Sequence, residues 1–198
     1  MNILHISSGD KKSGVTKGAY NLHSILKKKG VNSYFFSPKK IDSNSYELKK
    51  YKLKYILYKF FYYLEKIIKN LYLKRKSTSF TSAFFGINLT DTYEYKNADI
   101  IHLHWLGKTF INLDFFIKCK KPIVFSLRDM WFFTGGCHYT LGCQKFKKIC
   151  NKCPQLGSNF RYDLSYKSHQ RKFLFFNKQI NIIAVSKWIK KKFKDSSI

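Results

Sequence analysis

Four of the five cysteines fall within seventeen positions, as Cys137-x5-Cys143-x6-Cys150-x2-Cys153-Pro154. Four thiolates suit a tetrahedral zinc ion, and the C-x-x-C end is the usual chelating pair. Two disulfides or four packed free thiols are the other readings of the same residues. A zinc ion held by four cysteines would have no open coordination position, so its role would be structural, with no catalytic metal expected. Just upstream runs Ser126-Leu127-Arg128-Asp129-Met130-Trp131, at the end of an apolar stretch. The Arg128–Asp129 pair is either a structural ion pair or a cation and a base placed near a phosphate or hydroxyl. A third group is Ile100-Ile101-His102-Leu103-His104-Trp105. Its two histidines alternate on a strand and share a side. His104 and Trp105 stand at the strand's carboxyl end, where open α/β sheets bind ligands, and an indole face suits the C–H groups of a sugar. His102 is expected to be a satisfied core residue. Gly9, Ser13, Gly14 and Gly18 lie in the first strand-to-helix turn. There the backbone could approach a phosphate at a helix N-terminus, or simply turn tightly. Their spacing is not G-x-G-x-x-G, so no dinucleotide fingerprint is present.

These residues need a scaffold that puts strand ends and loops on one edge. Residues 2–6 (NILHI) predict a buried strand. Residues 7–14 are a polar turn, and 15–29 a helix with Ala19, Leu22, His23, Ile25 and Leu26 at helical spacing, closed by Gly30. Residues 31–36 make a second strand, giving a βαβ unit. Strands follow at 99–103, 122–127 and 181–185, with helices at 109–118 and 162–177 and a last short helix capped by Ser186. Five strands alternating with helices predict an α/β fold: one Rossmann-like, doubly wound parallel sheet spanning residues 1–198. Residues 77–90 and the cysteine-bearing stretch 128–160 read as loops.

One segment differs in character. Over residues 47–76, Leu53, Ile56, Leu57, Phe60, Leu64, Ile67, Ile68 and Leu71 recur at steps of three and four. Ten Lys or Arg fall between Lys49 and Lys76, opposed only by Glu47 and Glu65. This predicts a basic amphipathic helical insertion. It could lie on an anionic membrane, or pack on the domain with its lysines in solvent. The whole chain is lopsided in the same sense, with 38 Lys+Arg against 11 Asp+Glu and a net charge of +27. Such a surface favours phosphates, acidic lipids or nucleic acid. The abundance of Lys, Asn, Ile, Phe and Tyr is also what an AT-rich coding sequence produces. The opening MNILHIS lacks the basic n-region of a signal peptide. No uncharged apolar window of about 18 residues exists to span a membrane. A cytoplasmic chain is expected.

With these residues laid out, IIHLHW, then PIVFSLRDMWFFTGGCHYTLGCQKFKKICNKCPQLG, then IIAVSKWIKKKFKDSSI resemble the N-terminal domain of glycosyltransferase family 4, of the bacterial capsule, lipopolysaccharide and colanic-acid type. The opening NILHISSGDKKSGVTKGAYNLHSILKKKG is similar to that family's first βα unit. The TGGCHY-to-CP run is the specific part, and roughly residues 38–90 lie outside the likeness. The resemblance implies the N-terminal half of a GT-B fold, in which two Rossmann-like domains face each other across a cleft. This half would bind a glycan or lipid-linked acceptor. A second half would hold the nucleotide sugar and a pair of glutamates, with no catalytic metal ion. On that basis Arg128 and Asp129 are the catalytic candidates, Ser13, Gly14 and Val15 the donor-phosphate loop, and His104, Trp105, Thr134 and His138 the acceptor-binding set. The Cys-rich loop spans 131–157.

The chain departs from the family in three places. It has Arg128-Asp129 where the family has His-Asp, and Ser13-Gly14 where the family has two glycines. It also ends at Ile198, where the family continues into an interdomain linker. The donor domain is therefore expected to be absent and the chain inactive alone, membership of a cell-surface polysaccharide pathway notwithstanding. The competing expectation is a non-catalytic domain that binds polyanions or nucleic acid. No nucleic-acid module signature supports specific recognition.

Overall fold

The computed structural model describes residues 1–10, 12–76, 79–82, 84–176 and 180–198. Six parallel strands form one sheet: β1 (Asn2–Ile6), β2 (Asn32–Ser37), β3 (Tyr46–Glu47), β4 (Ile100–Leu103), β5 (Ile123–Leu127) and β6 (Ile180–Ala184). Their order is β3-β2-β1-β4-β5-β6. The fold is therefore α/β with an all-parallel sheet, consistent with a Rossmann-like architecture. The chain winds outward from β1 in one direction, then restarts at β4 and winds in the other. The reversal between β1 and β4 is a topological switch point, where parallel sheets open a crevice at their carboxyl ends.

Register determines which side chains share a face. Leu4 lies opposite Tyr34 and Ile101, and His5 opposite Phe35 and His102. One face carries Leu4, Ile6, Ile101, Leu103, Phe125 and Leu127, all buried in the main core. That core is strongly aromatic, with Phe110, Phe115 and Phe116 each fully enclosed. The opposite face is covered by helix α1 (Gly14–Lys28), which turns Thr16, Ala19 and His23 inward at helical spacing. Ala19 packs there with Phe35 and Ile41. Gly30 ends the helix at φ +79°, the left-handed conformation glycine adopts without steric cost.

Most predicted elements lie within a residue or two of their expected bounds, and four points differ. The sheet has six strands rather than five. Tyr46–Glu47 is a two-residue edge strand, too short to leave a period in the sequence. The helix expected over 109–118 is only α4 (Asp114–Lys118). Lys108 and Thr109 take positive φ values of 57° and 53°, and Ile111 pairs with Ile87 in an isolated bridge. The basic helix expected over 47–76 is α2 (Lys52–Asn70), preceded by β3 and a 3-10 turn. A one-turn helix α3 (Tyr93–Lys96) was not foreseen; Thr92 caps it, its side chain accepting from the Tyr95 amide. The later helices are α5 (Leu164–Phe175), capped by Asp163, and α6 (Lys187–Lys194), capped by Ser186 as the sequence predicts. The expected end of α5 at residue 177 falls outside the described residues, as do 77, 78 and 83 of the expected loop.

Candidate functional site

The carboxyl end of β4 is tied to the first βα turn. The Ser8 amide and its hydroxyl both donate to the Trp105 carbonyl at 2.8 Å. Trp105 is thereby held at the switch point, half-buried. Its indole N–H lies 3.0 Å from His138 Nδ1, and the two rings are 5.4 Å apart. His138 Nδ1 also stands 2.5 Å from Asp129 Oδ2, and its Nε2 lies 3.0 Å from the Thr81 hydroxyl. One nitrogen cannot both donate to Asp129 and accept from Trp105. The shorter, charge-assisted contact takes precedence. It puts the proton on Nδ1 and leaves Nε2 to accept from Thr81.

The segment after β5 is folded back to make this contact. The Met130 amide donates to the His138 carbonyl and the Thr81 amide to the Gly136 carbonyl, both at 2.9 Å. Asp129 Oδ1 accepts from the Trp131 amide at 2.9 Å, and the Trp131 indole donates to the Thr81 carbonyl at 2.8 Å. Asp129, His138, Thr81 and Trp131 thus form one hydrogen-bonded unit, with the Trp105 ring packed against His138. A buried carboxylate that orients an imidazole can hold a proton acceptor beside a hydroxyl.

A cavity of about 260 Å³ opens over this unit, lined by Trp105, His138 and Thr81 together with Lys66, Lys69 and Lys108. An adjoining cavity of about 180 Å³ lies over Ser8, Gly9 and Asp10 and shares Tyr62 and Lys108 with the first. The walls are cationic and partly aromatic, so the chemistry they suit is a hydroxylated, anionic ligand. Asp10 lines the second cavity beside Lys108, and Glu65 is the acid of the first. Burial pushes its carboxyl up in pKa. It accepts from the Ser82 amide at 2.8 Å and lies 3.6 Å from Lys69.

The structure brings together Trp105, Asp129 and His138. It does not bring Arg128 to them. Consecutive strand-end residues point to opposite sides, and Arg128 lies on the α1 face. A methyl group placed on Gly18 would sit 2.8 Å from its Nη1. Its Nε is buried with no hydrogen-bond partner, and burial lowers its pKa. Asp129 pairs with His138, so the reading of Arg128–Asp129 as an ion pair is corrected. His104 also departs from the cleft. It is buried, with Nε2 3.0 Å from His5 Nδ1, and stacks on His102 at 4.1 Å. His102 bonds Ser126 Oγ at 2.8 Å, as expected of a satisfied core residue. Ser13, Gly14 and Val15 do open α1; the Ser13 amide is held by the carboxylate of Asp10 at 3.2 Å, and Gly14 faces open space. Thr134 is buried and donates to the Cys137 carbonyl at 2.6 Å, away from the cavity. Thr81, Lys69 and Lys108 were missed. Only the fold-back of residues 129–138 onto residues 79–82 reveals Thr81.

No disulfide joins the four clustered cysteines. Together they line one small cavity of about 10 Å³, the room of a single water or ion. The Gly135 amide donates to Cys150 Sγ at 3.2 Å, and the Gln155 and Leu156 amides point to Cys153. Cys137 donates its S–H to Cys153; that bond pulls Cys153 down to about 7, while it and burial push Cys137 up. Amides aimed at sulfur favour thiolate, the form that binds metal. Among the described residues the four sulfurs do not reach the 4.8 Å spacing that His5, His102 and His104 show. Holding an ion would draw them inward.

No protein-family profile matches the chain, and no solved structure matches it. It is similar to a curated protein of Escherichia coli (strain K12), "Putative colanic acid biosynthesis glycosyl transferase WcaC", at 36% identity over 63 residues. That stretch covers 30% of this chain and 16% of the relative. The chain therefore spans a small fraction of the relative's length. The partial likeness supports a glycosyltransferase role in general terms.

Proposed function

We propose that this chain forms the acceptor-side, N-terminal half of a GT-B glycosyltransferase of the family 4 type, acting in cell-surface polysaccharide synthesis. The observation that carries the reading is the cavity over Trp105 and the Asp129–His138 pair, set at the switch point of a parallel sheet. Trp105 offers an apolar face to a sugar ring. His138, oriented by Asp129 and bonded through Nε2 to Thr81, forms the cavity wall beside it. Lys66, Lys69 and Lys108 match an acceptor that carries phosphate. In a GT-B arrangement the nucleotide sugar binds a second Rossmann-like half facing this cleft. The reaction is then expected to need that half, and this chain supplies acceptor recognition. Zinc is proposed at Cys137, Cys143, Cys150 and Cys153, which line one small cavity with backbone amides aimed at two of the sulfurs and would close inward on a structural ion. It would tie the segment carrying His138 to the start of α5.

The test is binding of sugar phosphates, followed by tryptophan fluorescence and by calorimetry. Saturable binding that competes with inorganic phosphate, and that falls at least tenfold in Trp105→Ala, is expected. Absence of any binding at millimolar ligand, with the protein folded, would remove the acceptor reading.

A further inference from the structure

Helix α2 is mounted with its apolar side outward. Leu53, Ile56, Phe60, Tyr63, Ile67 and Leu71 recur at steps of three and four, and each is more than half exposed. The side turned to the domain is anchored by polar and ionic contacts as well as by rings. Lys54 donates to the Asn88 carbonyl at 3.0 Å and pairs with Asp91 at 2.7 Å. Glu65 binds the Ser82 amide, and Lys69 donates to the Phe80 carbonyl at 2.9 Å. Tyr58, against Phe110, Phe61, stacked on Phe85, and Tyr55, packed on the main core, add the aromatic contacts, and Leu64 and Ile68 are half-buried between the two sides. An unpartnered apolar stripe of this length on a surface helix marks an interaction site.

The charges around the stripe say what covers it. Lys52, Lys59 and Lys66, seven residues apart, run along its flank. Lys49 and Lys50 lie before the helix, and Lys74, Arg75 and Lys76 after it, all exposed. The one acid within α2 is Glu65, which is buried. The outer surface of α2 is thus apolar and positive with no negative charge. A two-fold pairing with a second copy would bring the two lysine rows together, like against like. No helix of the described residues is long and apolar enough to cross a membrane. We propose that α2 docks flat on an anionic lipid surface, apolar stripe in the acyl boundary and lysines at the headgroups. Its 19 residues span about 28 Å at 1.5 Å per residue. Tyr62, Lys66 and Lys69 of the same helix line the cavity over Trp105 and His138. Docking therefore sets the mouth of the cavity beside the lipid headgroups. The inference stands apart from sugar transfer, since lipid binding is read without any donor or acceptor.

Vesicle flotation tests it, using the whole chain with phosphatidylcholine vesicles and with vesicles of phosphatidylcholine and phosphatidylglycerol in equal parts. At about 0.1 M salt the protein is expected to float with the anionic vesicles, with at least tenfold less recovered on the neutral ones. Each lysine neutralised along the flank, as in Lys59→Gln or Lys66→Gln, is expected to weaken partition about fivefold. The double variant Phe60→Glu/Ile67→Glu alters exposed positions only and is expected to abolish flotation. Leu174→Glu, 69% exposed on α5, is expected to leave it unchanged. Equal recovery on both vesicle types, no flotation of the wild type, or unchanged flotation of the double variant would each overturn the proposal. A dimer in gel filtration that Phe60→Glu dissociates would assign the stripe to a second copy instead, and would overturn it too.

Discussion

Lowering the pH from 7.5 to 5.5 is expected to remove most of the stability of this protein, through its buried imidazoles. His5 is held down to about 3, first by burial and then by His102 and His23. Burial and the Arg128 guanidinium hold His102 at about 4. His104 lies well below its ordinary value through burial, its two histidine neighbours and Arg128. His169 is held at about 4 by burial and Lys172. His5, His102 and His169 are therefore neutral in the folded chain down to about pH 4, and His104 stays neutral well below its ordinary value, whereas the unfolded chain takes up protons from 6.5 downward. Their stabilising effect is complete above that value and is lost as the pH falls from 6.5 toward 4. His5, His102 and His169 each cost RT ln(1 + 10), about 1.4 kcal/mol, at pH 5.5, together about 4 kcal/mol, and His104 adds to the loss. Total stabilities of domains this size are roughly 5–15 kcal/mol, so unfolding close to pH 5 is expected. The assay is denaturant unfolding followed by circular dichroism at both pH values, with chelator present so that metal bound by histidine does not contribute. His102→Gln retains a polar partner for Ser126 and should remove about a quarter of the pH effect. A stability change under about 1 kcal/mol between the two pH values would refute the reasoning, because it would mean that these rings accept protons while folded.

Three further outcomes are expected. Asp129→Asn leaves His138 facing an amide in place of its carboxylate and should cost about 3 kcal/mol; a change in melting temperature under a degree or two would show that the 2.5 Å contact is not held in solution. Gly86→Ala places a methyl 2.4 Å from the Asn112 backbone nitrogen at φ +141° and should cost more than about 2 kcal/mol, whereas Gly14→Ala meets nothing within 4 Å and should change stability by less than about 1 kcal/mol; equal melts for the two would contradict the backbone described. Metal analysis of the purified chain should give about one zinc per chain, lost in Cys150→Ser, with chelator lowering the melting temperature; four titratable thiols in metal-free protein of unchanged melting temperature would reject the site.

Much of the sheet was legible because parallel strands buried on both faces leave short continuous apolar runs. NILHI, DIIHL, PIVFSL and NIIAV each lie within a residue or so of an observed strand. The start of α6 was readable from its capping Ser186, whereas the caps Thr92 and Asp163 were not picked out. The edge strand Tyr46–Glu47 was not readable, since two residues carry no period. The false start of α4 has a different cause. Residues 109–118 hold apolar residues at helical spacing, but Lys108 and Thr109 take positive φ and Ile111 bridges to Ile87, so the first half of the segment is not helical. At the site, Trp105 was placed by its position two residues past the end of a strand, which is a local argument. The pairing of His138 with Asp129, nine residues apart, and of His138 with Thr81, fifty-seven apart, depends on a loop folding back, and no spacing rule encodes it. The same limit misled the reading of His104. Alternation correctly put it on the side of His102 but could not say that α1 and His5 would close over that side.

The inverted mounting of α2 has a more general cause. An amphipathic period shows that a helix has an apolar side; it carries no information on what that side meets. On α2 the apolar residues center on Leu53, Phe60, Ile67 and Leu71, and the usual inference turns that arc into the core. The residues turned inward are instead Lys54, Tyr58, Phe61, Glu65 and Lys69. They also recur at steps of three and four, so both arcs satisfy helical spacing. What separates them is the partners available on the domain. The Asn88 and Phe80 carbonyls, the Ser82 amide and Asp91 are polar groups in short connecting segments that have unmet hydrogen-bonding capacity. An apolar arc laid over them would leave them desolvated at about 1–3 kcal/mol each. A polar arc satisfies them and sends the leucines and isoleucines outward. That arrangement is stable in water only at the cost of exposed apolar area, at about 25 cal/mol per Å². A lipid surface removes that cost while meeting the lysines with negative charge. The cue available in the sequence was Glu65, a lone acid among ten bases: placed on the inner arc, it identifies which side of the helix faces protein.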